Sequence, residues 1–295
     1  CISSPMTFGA SDSRARSSAR YFQAGATTTS MLSGFSMSAT PTMSRMSSRV
    51  FSTRFRARSS SSGSRSDFLE SRCDDYNQKS IENIKLISRI GANLLEKADY
   101  ILAYDYSSSM AAVLRELGER GLQKRILIPE SRDLDGGRPI VKEAAAVGHS
   151  VDFVIDMAVS YFIKDVDAVI IGAETIFANG GAWNTIGSFC MAALADHCNI
   201  PLYIPTELIK IDPNSFLGVE KEIKFDDYSE ILNYPKSFNQ PDMISVSAPA
   251  LDFVPPEMIT AFITEQGAIN PYLLWEKARQ FLLDIDVDPL KTEGK

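Results

Sequence analysis

Asp105, Glu130, Arg132, Asp156, Glu174 and Glu207 each stand just after a short apolar run. If those runs are parallel strands, all of these residues lie at carboxyl ends and face one crevice, where open α/β folds take small ligands. All but Arg132 are carboxylates. Crowded together they repel, which favours a proton on one of them near neutral pH and sets a donor beside an acceptor. The candidate substrate-binding residues are Ser107, Ser108, Glu130, Arg132, Asp156, Asn179 and Asn184. With Arg132 the one cation among them, a phosphate would rely on it together with the helix starts at Ser107 to Ser109 and at Asn184 to Ser188. Each residue also has a plainer role open to it. Serine and aspartate at helix starts cap free N–H groups, and Asn179-Gly180-Gly181 is ordinary turn punctuation. His149 and His197 close helices, where an imidazole suits the dipole, and Cys190 is expected on the buried side of its helix.

The elements that must position these residues follow from periodicity. Between Lys79 and Glu96, Ile81, Ile84, Ile87, Ile90, Leu94 and Leu95 recur at three- and four-residue steps, the stripe of an amphipathic helix. Strands are expected at Tyr100 to Tyr104, Arg125 to Pro129, Val151 to Ile155, Ala168 to Ile171 and Ile200 to Ile204. The helices between them are expected at Met110 to Arg120, Ile140 to Val147, Met157 to Ile163 and Thr185 to His197. Asp212 to Pro241 reads as a long polar loop. A last strand is expected at Ile244 to Ser247 and a short helix at Pro256 to Thr264, with proline at its start. Alternating strands and helices imply right-handed crossovers and a Rossmann-like, doubly wound, mostly parallel sheet. It is preceded by a helix and a low-complexity amino-terminal arm. The expected divisions are an arm at 1–66, a helical lead-in at 67–98 and the Rossmann-like domain at 99–295.

Charge separates the same regions. Residues 1–66 hold 20 Ser and nine Arg with Asp12 as the one acid, a net +8, against −15 for the remainder and −7 for all 295 residues. An acidic folded part disfavours nucleic acid on that surface. The Ser/Arg-rich arm leaves three readings open: a disordered or organelle-targeting segment, a docked arm, or a contact with RNA or a large assembly. No apolar run approaches the roughly 18 residues of a membrane span. Cys1, Cys73, Cys190 and Cys198 show no paired spacing, which reads as a reducing, intracellular setting, cytoplasmic or organellar according to the arm. Without a GxGxxG turn or a defensible ligand set, no cofactor and no metal are expected.

The pieces ILAYDYSSS, IPESRDLDGGR, VIDMAVSYFI, VIIGAETIFANGGAWNTIGS, IPLYIPTELIKID and PALDFVPPEMITAFITEQGAINP, in this order across about residues 80–272, resemble one superfamily. It joins the alpha, beta and delta regulatory subunits of translation initiation factor 2B to methylthioribose-1-phosphate and ribose-1,5-bisphosphate isomerases. The resemblance implies, for the isomerases, a cysteine after the first strand and an aspartate in a GAD triplet. Asp105 and Glu174 stand at those positions here, which by the resemblance makes them the candidate catalytic, acid–base pair, and Thr185 stands where a lysine follows the loop asparagine. GAE and NGG resemble the initiation-factor subunits more. The expected function is accordingly an assembly and ligand-sensing domain, a homo- or hetero-oligomer through its carboxy-terminal half with a sugar-phosphate or nucleotide ligand. The alternatives are an aldose–ketose isomerase of a pentose 1-phosphate and an accessory component of an organellar assembly.

Overall fold

The computed structural model describes residues 65–219, 222–233, 235 and 244–291. The arm expected at 1–66, with its targeting and RNA-contact readings, lies outside the described residues except for its last two positions, which open helix α1 (Arg65–Leu94).

Four β-α steps follow α1, and a fifth parallel strand closes the series. Strands β1 (Tyr100–Tyr104), β2 (Arg125–Pro129), β3 (Ser150–Val154) and β4 (Ala168–Ile171) alternate with α2 (Ser108–Glu119), α3 (Gly137–Ala146) and the short α4 (Val159–Phe162). A small antiparallel excursion, β5 (Thr175–Ile176) and β6 (Ala182–Thr185), precedes α5 (Ser188–His197) and β7 (Leu202–Pro205). Two further strands pair with each other, β8 (Phe225–Asp227) and β9 (Ser247–Pro249). β10 (Leu251–Val254) pairs with β6, and β11 (Ala261–Thr264), β12 (Gly267–Ile269) and α6 (Leu274–Asp284) complete the chain.

The main sheet runs β12-β11-β7-β4-β1-β2-β3, parallel throughout except for β12. Alternation along β1 shows how it is covered. Ile101 and Ala103 point to a face shared with Ile87 of α1, Met110 and Leu114 of α2, and Ile140 of α3. Tyr100, Leu102 and Tyr104 point to the other, with Val159 of α4, Met191 of α5, and Leu274 and Leu282 of α6. Each large apolar side chain so enclosed contributes about 1.5–3 kcal/mol. Helices on both faces make this a Rossmann-like, doubly wound α/β fold.

Several expected elements are different in the structure. Of the stripe on α1, Ile87 and Leu95 are buried while Ile81 and Leu94 face outward. The helix expected from Thr185 starts at Ser188, because Ala182–Thr185 is a strand paired on both sides. There Trp183 meets Phe177 edge-on at 5.3 Å, and Phe253 on β10 closes over the same Phe177 at 5.9 Å. Those ring contacts favour extended backbone. Pro256 to Thr264 is one 3-10 turn, Pro256–Met258, followed by the buried strand β11. The Asp212 to Pro241 loop contains a 3-10 turn at Pro213–Leu217 and β8, and the strand expected at Ile244 to Ser247 begins only at Ser247. Cys190 is exposed on α5 instead of buried. Helix α6 had not been expected.

Candidate functional site

β1 ends at Tyr104, and Asp105 turns with φ 61°, a left-handed backbone that aspartate tolerates better than most residues. Its carboxylate is only 6% exposed, yet both oxygens are satisfied. Oδ1 accepts from the Ser131 hydroxyl at 3.1 Å, and Oδ2 accepts from the Thr185 hydroxyl at 2.5 Å. Ser131, also left-handed at φ 49°, is fixed in turn by Asp156, whose carboxylate accepts the backbone N–H groups of Ser131 (2.8 Å) and Arg132 (3.1 Å). Gly136 must be glycine for this arrangement. A Cβ there would fall 1.8 Å from Asp105 Oδ1.

The neighbouring strand end closes on the same spot. At Gly172, after β4, a Cβ would lie 2.8 Å from Ser107 Cβ and 3.4 Å from Asn184 Oδ1, so both side chains reach this point. Ser107 caps α2, accepting from the Met110 N–H at 3.4 Å. Asn184 is buried and donates to the Ser188 hydroxyl at 2.9 Å. The ends of β1, β2, β4 and β6 thus bring Asp105, Ser107, Ser131, Asn184 and Thr185 together.

A second cluster lies around the Gly172-Ala173-Glu174 turn. The Glu174 N–H donates to the Trp183 carbonyl at 2.8 Å, which starts the excursion into β5. Lys210 Nζ donates to the Ala173 carbonyl at 2.6 Å. Burial pushes the Lys210 ammonium below the usual lysine range, while the Glu174 and Glu207 carboxylates nearby pull it back up. Glu207 is buried and accepts from Ser80 Oγ at 2.9 Å and Asn83 Nδ2 at 3.0 Å, both on α1. Burial also raises the Glu265 carboxyl beside it. Hydrogen bonds from backbone N–H groups, that of Leu208 among them, oppose this, and the Glu207 charge adds to it.

The remaining expected residues divide. Asp156 orients the loop behind Asp105. Glu130 is half-buried and paired with Arg132 at 3.0 Å, so this guanidinium, 59% exposed, is already neutralised. Ser108 is exposed on the first turn of α2. Asn179 does not join the site. It is exposed at the β5–β6 turn, where its Oδ1 accepts the Gly181 N–H at 2.9 Å and the following Gly180 packs on the Pro271 carbonyl. Nor is the start of α5 open to an anion, because Asp252 Oδ2 from β10 accepts the Gly187 and Phe189 N–H groups at 2.7 and 3.1 Å. Burial raises the Asp133 carboxyl, and the Asp226 and Asp105 charges add to the rise while the Tyr228 hydroxyl works against it. Ser131, Asp133, Lys210 and Asp252 were not expected in these places. The sequence held one signal, a lysine alone within the apolar Leu208-Ile209-Lys210-Ile211. Among the described residues, no group of at least three His, Cys, Asp or Glu side chains could hold a metal ion. No helix among them is long and apolar enough to cross a membrane.

Residues 31–271 match the profile of the Initiation factor 2 subunit family. The chain belongs to this family. It is 33% identical over 198 residues to the ribose 1,5-bisphosphate isomerase of Pyrococcus furiosus, covering 67% of this chain and 60% of that one. It is 31% identical over 217 residues to the methylthioribose-1-phosphate isomerase of Thermotoga neapolitana, covering 70% and 63%. Among solved structures it resembles the translation initiation factor eIF-2B subunit delta from A. fulgidus, at a TM-score of 0.58 and 28% identity, covering 68% and 62%. The match thus spans somewhat over half the length of these family members. The superfamily that unites initiation-factor subunits with sugar-phosphate isomerases is where this chain falls.

Proposed function

We propose that this family member is an aldose–ketose isomerase of a pentose 1-phosphate, with Asp105 and Glu174 as its acid–base pair. The observation that carries the reading is the Asp105 carboxylate, held at the end of β1 by two hydroxyl donors. Kinship with isomerases at 31–33% identity supports the reaction class. The net reaction moves one hydrogen from C2 to C1 and one from O2 to the ring oxygen. The C1–O bond of the ring opens, and C2 becomes a carbonyl. One carboxylate accepts the C2 proton and the other supplies a proton, each alternating between acid and base. Ser131 and Thr185 fix the direction of the Asp105 lone pairs, and Lys210, donating to the Ala173 carbonyl at 2.6 Å, anchors the turn that carries Glu174.

Incubation with ribose 1,5-bisphosphate and with methylthioribose 1-phosphate, followed by ketose formation and solvent deuterium at C1, tests this. Asp105→Asn is expected to lower turnover at least about a hundredfold while leaving the protein folded. A folded wild type that turns over neither substrate ends the proposal.

A second reading, a regulatory-subunit-like domain that senses a ligand without converting it, is supported by two specific contacts. Asp252 fills the helix start that would have held a phosphate, and Glu130 neutralises Arg132. That reading expects a ligand-dependent rise in Tm with pentose phosphates or nucleotides and no turnover.

A further inference from the structure

Glu174 is carried by a peptide that is held at both ends. The carbonyl of the Ala173–Glu174 peptide accepts from Lys210 Nζ at 2.6 Å, and its N–H donates to the Trp183 carbonyl at 2.8 Å. A peptide plane fixed in this way restricts the direction in which the Glu174 side chain can leave it.

What holds Lys210 lies further off. Lys210 ends the 3-10 turn Leu208–Lys210, whose N-cap is Glu207. The Lys210 N–H donates to the Glu207 carbonyl at 3.2 Å, and the Leu208 N–H donates to the Glu265 carboxylate at 3.2 Å. The Glu207 side chain reaches α1, where it accepts from Ser80 Oγ at 2.9 Å and Asn83 Nδ2 at 3.0 Å. Burial pushes the Lys210 ammonium toward losing its proton, and the Glu174 and Glu207 carboxylates oppose this. Glu207 thus serves Lys210 twice, as the backbone cap of its turn and as a neighbouring negative charge.

A tether for α1 alone would not need a charge here, since a glutamine could also bond two neutral groups. Glu207 is nevertheless an enclosed carboxylate, 7% exposed, beside a second carboxyl at Glu265. Enclosing such a charge costs stability that two neutral donors offset only in part, and a neighbouring ammonium offsets more.

Resting on the isomerase reading, in which Glu174 is one of the acid–base pair, we propose that Glu207 is a positioning residue for that glutamate. It acts through Lys210, and its bonds to Ser80 and Asn83 make α1 part of what aims the site. A misplacement of on the order of 1 Å far from the reacting atoms can cost about a hundredfold in rate, so slack at Glu207 reaches the chemistry.

Glu207→Gln in the full chain tests this. The amide keeps an acceptor for Asn83 and a polar group for Ser80 while removing the charge. With ribose 1,5-bisphosphate or methylthioribose 1-phosphate, kcat is expected to fall at least about tenfold with KM within about twofold, because the acid–base group moves and the substrate contacts do not. Without substrate, hydrogen exchange is expected to quicken at least about tenfold at the Glu174 amide and to stay unchanged at the Met110 amide, which Ser107 caps. Ser80→Ala with Asn83→Ala keeps the charge but frees it from α1, and is expected to show the same two effects. Wild-type kcat and wild-type exchange at Glu174 in a folded Glu207→Gln overturn the proposal and leave Glu207 as a tether. So does a loss of activity carried by KM alone. A wild type that turns over neither substrate overturns the isomerase reading and the catalytic role with it, and exchange at Glu174 then still decides whether α1 and Glu174 are linked.

Discussion

The carboxyl-end rim has two halves that solve the burial of charge differently. Around Asp105 the donors are neutral hydroxyls from Ser131 and Thr185, and among the described residues no cation pairs with the enclosed carboxylate. Around Glu174 a buried ammonium, Lys210, sits among carboxylates, and Glu207 ties the group to α1 through Ser80 and Asn83. The first half is held by loop geometry, with two left-handed residues and a glycine that no other residue can replace. The second is held by long-range electrostatics and by a helix more than a hundred residues away in the chain. Shape should therefore break the first half and charge the second.

The largest effect is expected in the charged half. Glu207→Ala removes the acceptor of two α1 donors and a neighbour of Lys210, and should lower unfolding free energy by about 3 kcal/mol in urea titration. A loss below about 1 kcal/mol would mean that α1 is held by its apolar stripe alone. Next comes Gly136→Ala. Its methyl group would displace the Asp105 carboxylate and press on the Tyr106 N–H, costing about 2 kcal/mol and any ligand-dependent rise in Tm. Wild-type ligand response in that variant would show that Asp105 is not part of the binding surface.

Titration should set the halves apart by sign. The folded state holds the Asp133 carboxyl above its ordinary 3.8, so between that value and the folded one the unfolded chain ionises first. Stability falls there as pH rises, and Asp133→Asn should remove that slope. Lys210 is held below its ordinary 10.5, so its penalty is present below the folded value and fades as pH climbs toward 10.5. Lys210→Met should remove that alkaline gain. Chemical denaturation across pH, comparing each variant with wild type, measures both slopes, and equal slopes in variant and parent would contradict the assignment. The smallest effect is expected from Asn179→Ala, about 0.5 kcal/mol with no change in ligand response, because its side chain serves only its own turn.

Much of the sheet was legible because buried parallel strands are short, continuous apolar runs. Tyr100–Tyr104, Arg125–Pro129 and Ala168–Ile171 have the same limits in sequence and structure. Thr185 and Ala261–Thr264 were read as helical because a local window sees residue type and spacing. It does not see that Trp183 will meet Phe177 or that Phe262 will slot between β7 and β12. The site divides in the same way. Strand ends marked Asp105, Asp156, Glu174 and Glu207, since every parallel strand delivers its next residue to one rim. Asn179 looked equivalent because loop length in sequence does not tell a ligand loop from a hairpin tip.

By itself the sequence determined the alternation of parallel strands and helices up to β7, the charge contrast between its first 66 residues and the rest, and the family. These rest on periodicity, composition and motif order, which need no partner in space. Tertiary structure alone decided which groups satisfy one another: Ser131 and Thr185 on Asp105, Asp252 on the start of α5, and Lys210 on the Ala173 carbonyl. Those contacts join residues 26 to 80 positions apart. Their energy depends on burial and hydrogen-bond geometry, quantities that exist only once the chain has closed around them.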